Sequence, residues 1–142
     1  MLKQSNSSIT IFSDGGARGN PGPAAASFVA FSGNKIIHRD SKFLGEATNN
    51  VAEYSAVILA LEWLGKNFIN AKVTYCLDSE LVVKQLIGIY KIRDKRLMDF
   101  VMRIKELQNK SKLAIEWVHV KREKNALADK LVNENLDSNS RL

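Results

Sequence analysis

At 142 residues, with 45% hydrophobic and 25% charged side chains, the chain has the size and composition of one globular domain, which excludes the disordered and fibrous classes. Lys plus Arg number 21 against 15 Asp plus Glu, and the net charge of +6 favours polyanionic partners such as nucleic acid without identifying one. The single cysteine, Cys76, rules out an intrachain disulfide, and the longest apolar run, Ala24 to Phe31, is too short for a bilayer, so a cytoplasmic protein with no membrane partner is expected.

Met1 to Ser7 is expected to be loose. Ile9 to Ser13 is β-branched and aromatic, Ala24 to Phe31 is apolar and Lys35 to Leu44 is mixed, which predicts three strands, separated by Gly/Pro/Asn-rich turns, in an antiparallel opening. From Asn50 the period turns helical, with Val51, Tyr54, Ile58 and Leu61 on one face, and the helix runs to about Phe68. Val73 to Leu77 alternates as a strand and Ser79 to Ile87 suits a short helix. Leu97, Phe100, Val101, Ile104 and Leu107 mark an amphipathic helix. Leu113 to Val120 is a fifth strand with Leu113, Ile115 and Trp117 on one face, and Ala126 to Asn135 closes the chain as a helix. The polar tail from Asp137 to Leu142 is expected to be loose. The order βββαβααβα predicts a single α/β domain over residues 8–136, a mixed sheet with its early strands antiparallel, its later ones parallel, and helices on both faces.

Four acids fall at strand ends or helix starts, where such folds gather functional groups: Asp14 after the first strand, Glu53 in the first turn of the long helix, Asp78 after the fourth strand and Asp129 near the start of the last helix. Carboxylates converging on one point call for divalent cations to offset their repulsion. Each acid also has a duller explanation. Asp14-Gly15 fits a hairpin turn, although Asp14 to Pro23 holds four glycines and two prolines and is much longer than such a turn. Asn50 with Glu53 fits an N-cap and its reciprocal glutamate, and Asp78 fits a helix cap; taken singly, capping is the favoured role for both. Asp129 has Asn125, Ala126, Val132 and Asn133 one turn away, so no cation pairs with it along the helix. Gly16 to Gly22 is not a nucleotide-phosphate loop, because a strand follows it and not a helix, and neither His38 nor His119 stands in a zinc-ligand spacing.

Four motifs occur in order: Asp14-Gly15-Gly16 with Gly19-Asn20-Pro21-Gly22-Pro23; Thr48-Asn49-Asn50 with Glu53; Asp78-Ser79; and Asn125 with Ala128-Asp129. Together they resemble the type 1 ribonuclease H family over Ser8 to Leu136. The resemblance implies a five-stranded mixed sheet flanked by helices and an endonuclease hydrolysing the RNA strand of RNA/DNA hybrids, leaving 5′-phosphate and 3′-hydroxyl ends. It implies two Mg²⁺ ions per site, with Mn²⁺ able to substitute. Asp14 would bridge the ions, Glu53 and Asp78 would hold one, and Asp129 the other. Gly15, Gly16, Asn20 and Asn49 would meet the RNA strand, Thr48, Asn50 and Arg18 the DNA phosphates, and Ser79 and Asn125 are further substrate candidates, with Lys121 and Arg122 adding charge. A monomer is expected.

The chain departs from the family pattern in three places. The basic protrusion of some members is missing, Ile89 to Arg96 being a short connector; the loop Val120 to Lys124 holds no histidine; and Glu80 stands where many members have Asn or Gln near the substrate. This shorter form resembles the archaeal-like branch, some of whose members also accept double-stranded RNA. The rival reading is a non-catalytic hybrid-binding module on the same fold, and retention of all four acids argues against it.

Overall fold

The structure, a computed structural model, describes residues 3–140. The elements are β1 (Gln4–Ser5), β2 (Ser8–Ala17), β3 (Gly22–Ser32), β4 (Lys35–Ala47), α1 (Asn49–Asn67), β5 (Phe68–Ile69), β6 (Lys72–Leu77), α2 (Glu80–Leu86), α3 (Lys95–Lys110), β7 (Ala114–His119) and α4 (Ala126–Ser140), with a turn of 3-10 helix, Arg122–Asn125, leading into α4. Five strands form the main sheet in the order β4-β3-β2-β6-β7. Short turns join β2, β3 and β4, which therefore pair antiparallel, whereas β6 and β7 are reached through helical crossovers and pair parallel. This is the mixed sheet that the order of elements predicts.

Alternation along the strands assigns the faces. Ile9 and Ile11 of β2 join Phe28, Tyr54, Val57, Leu61, Leu64 and Tyr75 in the larger core, which α3 closes with Leu97, Val101 and Ile104. The opposite face carries a smaller cluster, Ala25 under Val132 and Leu136 of α4. Ala24, Ala25, Ala26 and Ala30 of β3 are fully buried, and side chains this small let helices lie close to the middle of the sheet on both faces. Cys76 is buried, as its apolar surroundings in the sequence suggest. Among the described residues no helix is long and apolar enough to cross a membrane.

Three boundaries differ from the sequence-based expectation. β2 does not stop at Ser13: its ladder with β3 continues through Ala17↔Ala24, so Asp14 lies inside a strand and the reversal is confined to the residues between Ala17 and Gly22. At the start, Gln4–Ser5 is not loose but pairs parallel with Phe68–Ile69, the short strand that directly follows α1, in a separate two-stranded sheet. At the other end, α4 runs past Asn135 to Ser140, because Asn139 Nδ2 and Ser140 Oγ donate back to Asn135 and Asp137 carbonyls, and Asp137 pairs with Arg18. The remaining parts of those two segments, residues 1–2 and 141–142, lie outside the described residues.

Candidate metal centre and active site

The pairing of β2 with β6 ends at Phe12↔Cys76, while β2 continues alongside β3 through Asp14↔Ser27. Asp14 thus sits just past the point where the parallel strands part, and Asp78, immediately after β6, turns in beside it. Glu53 arrives from α1, and Gly15 is what permits it. A Cβ at Gly15 would lie 2.2 Å from the carbonyl carbon of Ala52 and 2.5 Å from the Glu53 nitrogen, so only glycine lets the helix approach the strand this closely. Oxygens of Asp14, Glu53 and Asp78 lie within 4.8 Å of one another. Asp129 is outside that group. It is exposed on the first turns of α4, yet it lines the same open cleft of about 430 Å³.

Burial, then the charges of Asp78 and Asp129, push the Asp14 carboxyl up to about 7, against a smaller opposing pull from the Gly15 N–H that it accepts at 3.0 Å. Burial again leads for Glu53, followed by Asp14 and Asp78, and holds it well above the usual carboxylate range. Among the described residues Glu53 Oε2 is buried without a hydrogen-bond partner. A buried carboxylate oxygen with nothing to accept from is costly, and either a proton shared with Asp14 or a cation relieves it. Acids grouped this tightly, with only oxygen donors, fit a hard divalent cation.

The duller roles fail on geometry. Thr48, not Asn50, is the N-cap of α1: its Oγ1 accepts from Val51 N at 3.2 Å, which places Glu53 beyond the capping position. Ser79, not Asp78, caps α2, accepting from Val82 N at 3.3 Å. Asp14 is mid-strand and no turn residue. None of the three acids of the cluster is needed to hold its element together.

Gly15, Gly16, Arg18, Asn49, Asn50, Ser79 and Arg122 line the cleft with the four acids. Asn20 and Thr48 border a neighbouring groove with Asn50, Asp94 and Arg96. Asn20 Oδ1 accepts from Asn49 N and Asn49 Oδ1 from Ala17 N, both at 2.9 Å, so these two asparagines brace the β2–β3 turn against the start of α1. Lys121 is exposed ahead of the 3-10 turn and outside the cleft lining. Asn125, expected as a substrate candidate, is 1% exposed, lies outside the cleft lining, and donates from Nδ2 to the Ser13 carbonyl at 2.9 Å, so it braces the strand behind the site. Glu80 is also placed differently, on the exposed side of α2 and outside the cleft lining, where a hydrogen-bonded ion pair with Lys84 at 2.8 Å holds its carboxyl below its ordinary pKa. Val132, Asn133 and Leu136 were not expected at the cleft. They stand three, four and seven residues after Asp129, so its helical face carried the signal. Arg18 donates to Asp137 Oδ1 at 2.7 Å and to the Asn133 carbonyl at 3.4 Å, linking the turn to this helix.

The RNase H family model matches residues 6–137. Ribonuclease HI of Halobacterium salinarum is 41% identical over 132 residues, covering 91% of this chain and 64% of its own. The bifunctional protein Rv2228c of Mycobacterium tuberculosis is 33% identical over 133 residues, covering 92% of this chain and 36% of its own, so the chain spans about a third of that relative. Among solved structures, LC11-RNase H1 in complex with an RNA/DNA hybrid superposes with a TM-score of 0.87 at 42% identity, covering 92% of this chain and 97% of that one. The H. salinarum RNase H1 gives 0.86 at 39%, covering 92% and 98%. The motifs, the sheet order and these matches agree: the chain belongs to the ribonuclease H family.

Proposed function

We propose that the chain is an endoribonuclease that hydrolyses the RNA strand of RNA/DNA hybrids, with Asp14, Glu53, Asp78 and Asp129 as its metal-binding acids. One observation carries most of the weight: three carboxylates converge within 4.8 Å, and one of them buries an oxygen that no donor among the described residues meets. Asp14 is central to the set and suits the bridging role, Glu53 and Asp78 one ion, and Asp129, across the cleft, the other. Two Mg²⁺ ions, or Mn²⁺ in their place, would supply a nucleophilic water at neutral pH and charge relief on the leaving oxygen.

The protein's own part is to hold the acids and the duplex. Gly15, Gly16 and Asn49 line the cleft where an RNA strand would present its 2′-hydroxyls, the feature that separates it from DNA. Arg18 and Arg122 on the rim supply charge for phosphates. With water attacking phosphorus and the 3′-oxygen leaving to take up a proton, the products carry 5′-phosphate and 3′-hydroxyl ends. End-labelled RNA/DNA hybrid, RNA duplex, DNA duplex and single-stranded RNA, each incubated with and without Mg²⁺, test the reading. Metal-dependent cutting of hybrid RNA is expected, with RNA duplex as the second substrate to score. Binding of hybrid without cutting would identify a binding module, and cutting without metal would remove the acids from the chemistry.

A further inference from the structure

The acids are held by unequal means. Asp14 and Asp78 belong to paired strands and their ends, and Glu53 to a helix packed on the larger core, whereas Asp129 follows Lys121 to Lys124, four consecutive exposed residues, on a helix whose buried apolar contact with the sheet is the small Ala25, Val132 and Leu136 cluster. Two buried hydrogen bonds supplement that contact, and both reach the sheet beside Asp14. Asn125 Nδ2, in the turn just before α4, donates to the carbonyl of Ser13 at 2.9 Å. Ser27 Oγ donates to the carbonyl of Ala128 at 2.6 Å. Ser13 precedes Asp14 in β2, Ser27 is the cross-strand partner of Asp14, and Ala128 precedes Asp129.

We propose that Asn125 and Ser27 are positioning residues that fix where α4 carries Asp129 relative to Asp14. The inference rests on the reading of the four acids as a metal-binding set. Asn125 Oδ1 is buried with no partner among the described residues, so the side chain carries one orphaned acceptor while its amide nitrogen makes the link to Ser13. An apolar side chain there would remove the orphan but take this donor from the Ser13 carbonyl, so the link to the strand beside Asp14 is what the asparagine supplies. Arg18 and Asn135 tie later turns of α4 to the β2–β3 turn and to β4, so the links of Asn125 and Ser27 are the ones that fix its first turn, where Asp129 lies. Displacement of a reacting constellation by about 1 Å costs on the order of a hundredfold in rate.

The test compares Asn125→Ala, Ser27→Ala and Asp129→Asn, singly and with each of the first two combined with the third, alongside Leu107→Ala as a stability control in the distant core. Mn²⁺ binding is measured by calorimetry on each protein, and kcat and KM are measured on hybrid. Asn125→Ala and Ser27→Ala are expected to weaken Mn²⁺ binding and to lower kcat about tenfold with KM changed less than about twofold, while Leu107→Ala lowers the melting temperature without either effect. In the Asp129→Asn background neither substitution should weaken Mn²⁺ further, because the acid that they position is gone. Ser27→Ala removes one hydroxyl and keeps the test readable if Asn125→Ala does not fold. Unchanged Mn²⁺ affinity and kcat in Ser27→Ala, or full additivity with Asp129→Asn, overturns the proposal. Loss of the metal-site reading itself looks different: wild type would then bind no Mn²⁺ at all.

Discussion

The two sides of the cleft are built differently. On one, Asp14, Glu53 and Asp78 sit on elements locked into the main sheet and core; on the other, Asp129 rides exposed on α4. Burial supplies electrostatic strength to the first side at a cost in stability, because desolvated carboxylates repel one another. The second side costs the fold little and depends on being held in place. This arrangement concentrates three acids on elements paired into the main sheet and core and leaves the fourth on a more weakly anchored helix.

The largest expected contrast comes from removing one buried charge. Asp14→Asn should abolish cutting by about a thousandfold or more, yet raise the melting temperature in chelator, since a neutral amide ends the repulsion and can donate to the unpartnered Glu53 Oε2. Next comes the backbone contact that makes the inner side possible. Gly15→Ala drives a methyl into the Ala52 carbonyl and should cost about 3 kcal/mol, read as a lower midpoint in urea, with activity lost as α1 moves away. Asp129→Asn should lower kcat about a hundredfold but leave the unfolding free energy read from urea titration within about 0.5 kcal/mol of wild type, the signature of an exposed acid. Smallest is Glu80→Gln. Because Glu80 is paired with Lys84 outside the cleft, KM for hybrid should change by less than about twofold, and a marked improvement would return Glu80 to the substrate.

The sequence shows the inner side more clearly than the outer one. Asp14, Glu53 and Asp78 are visible because strand and helix periodicity put them at element ends, and the motifs around them agree. What periodicity misses is decided by tertiary partners. The glycines and prolines from Gly15 to Pro23 read as one long turn, whereas Gly15 to Ala17 stay in the strand because β3 pairs with them. Thr48 and Asn50 are equally good caps by residue type, and the Thr48 Oγ1 bond to Val51 decides between them. Asn125 belongs to a motif, which suggests contact with substrate, and only packing reveals that it faces inward onto Ser13. The tail after Asn135 carries no helix stop signal, and its pairing through Asp137 with Arg18 is a long-range contact that local sequence does not record.

Thermal melts of wild type and Asp14→Asn between pH 4 and 9, in chelator and in saturating Mg²⁺, test the central claim most directly. Asp14 and Glu53 hold protons more tightly folded than unfolded, so the folded protein binds more protons and its stability in chelator must fall as pH rises, through about pH 4 to 7 for Asp14, with Glu53 adding to the fall in the same direction. For Asp14 the fall amounts to roughly 2 to 4 kcal/mol. Mg²⁺ should restore the loss in wild type at the high-pH end, where it competes with protons for the acids, and do much less for Asp14→Asn, which should also show the shallower fall in chelator. Identical pH profiles for the two proteins in chelator, with no Mg²⁺ response from wild type, would contradict a mutually repelling, cation-binding cluster.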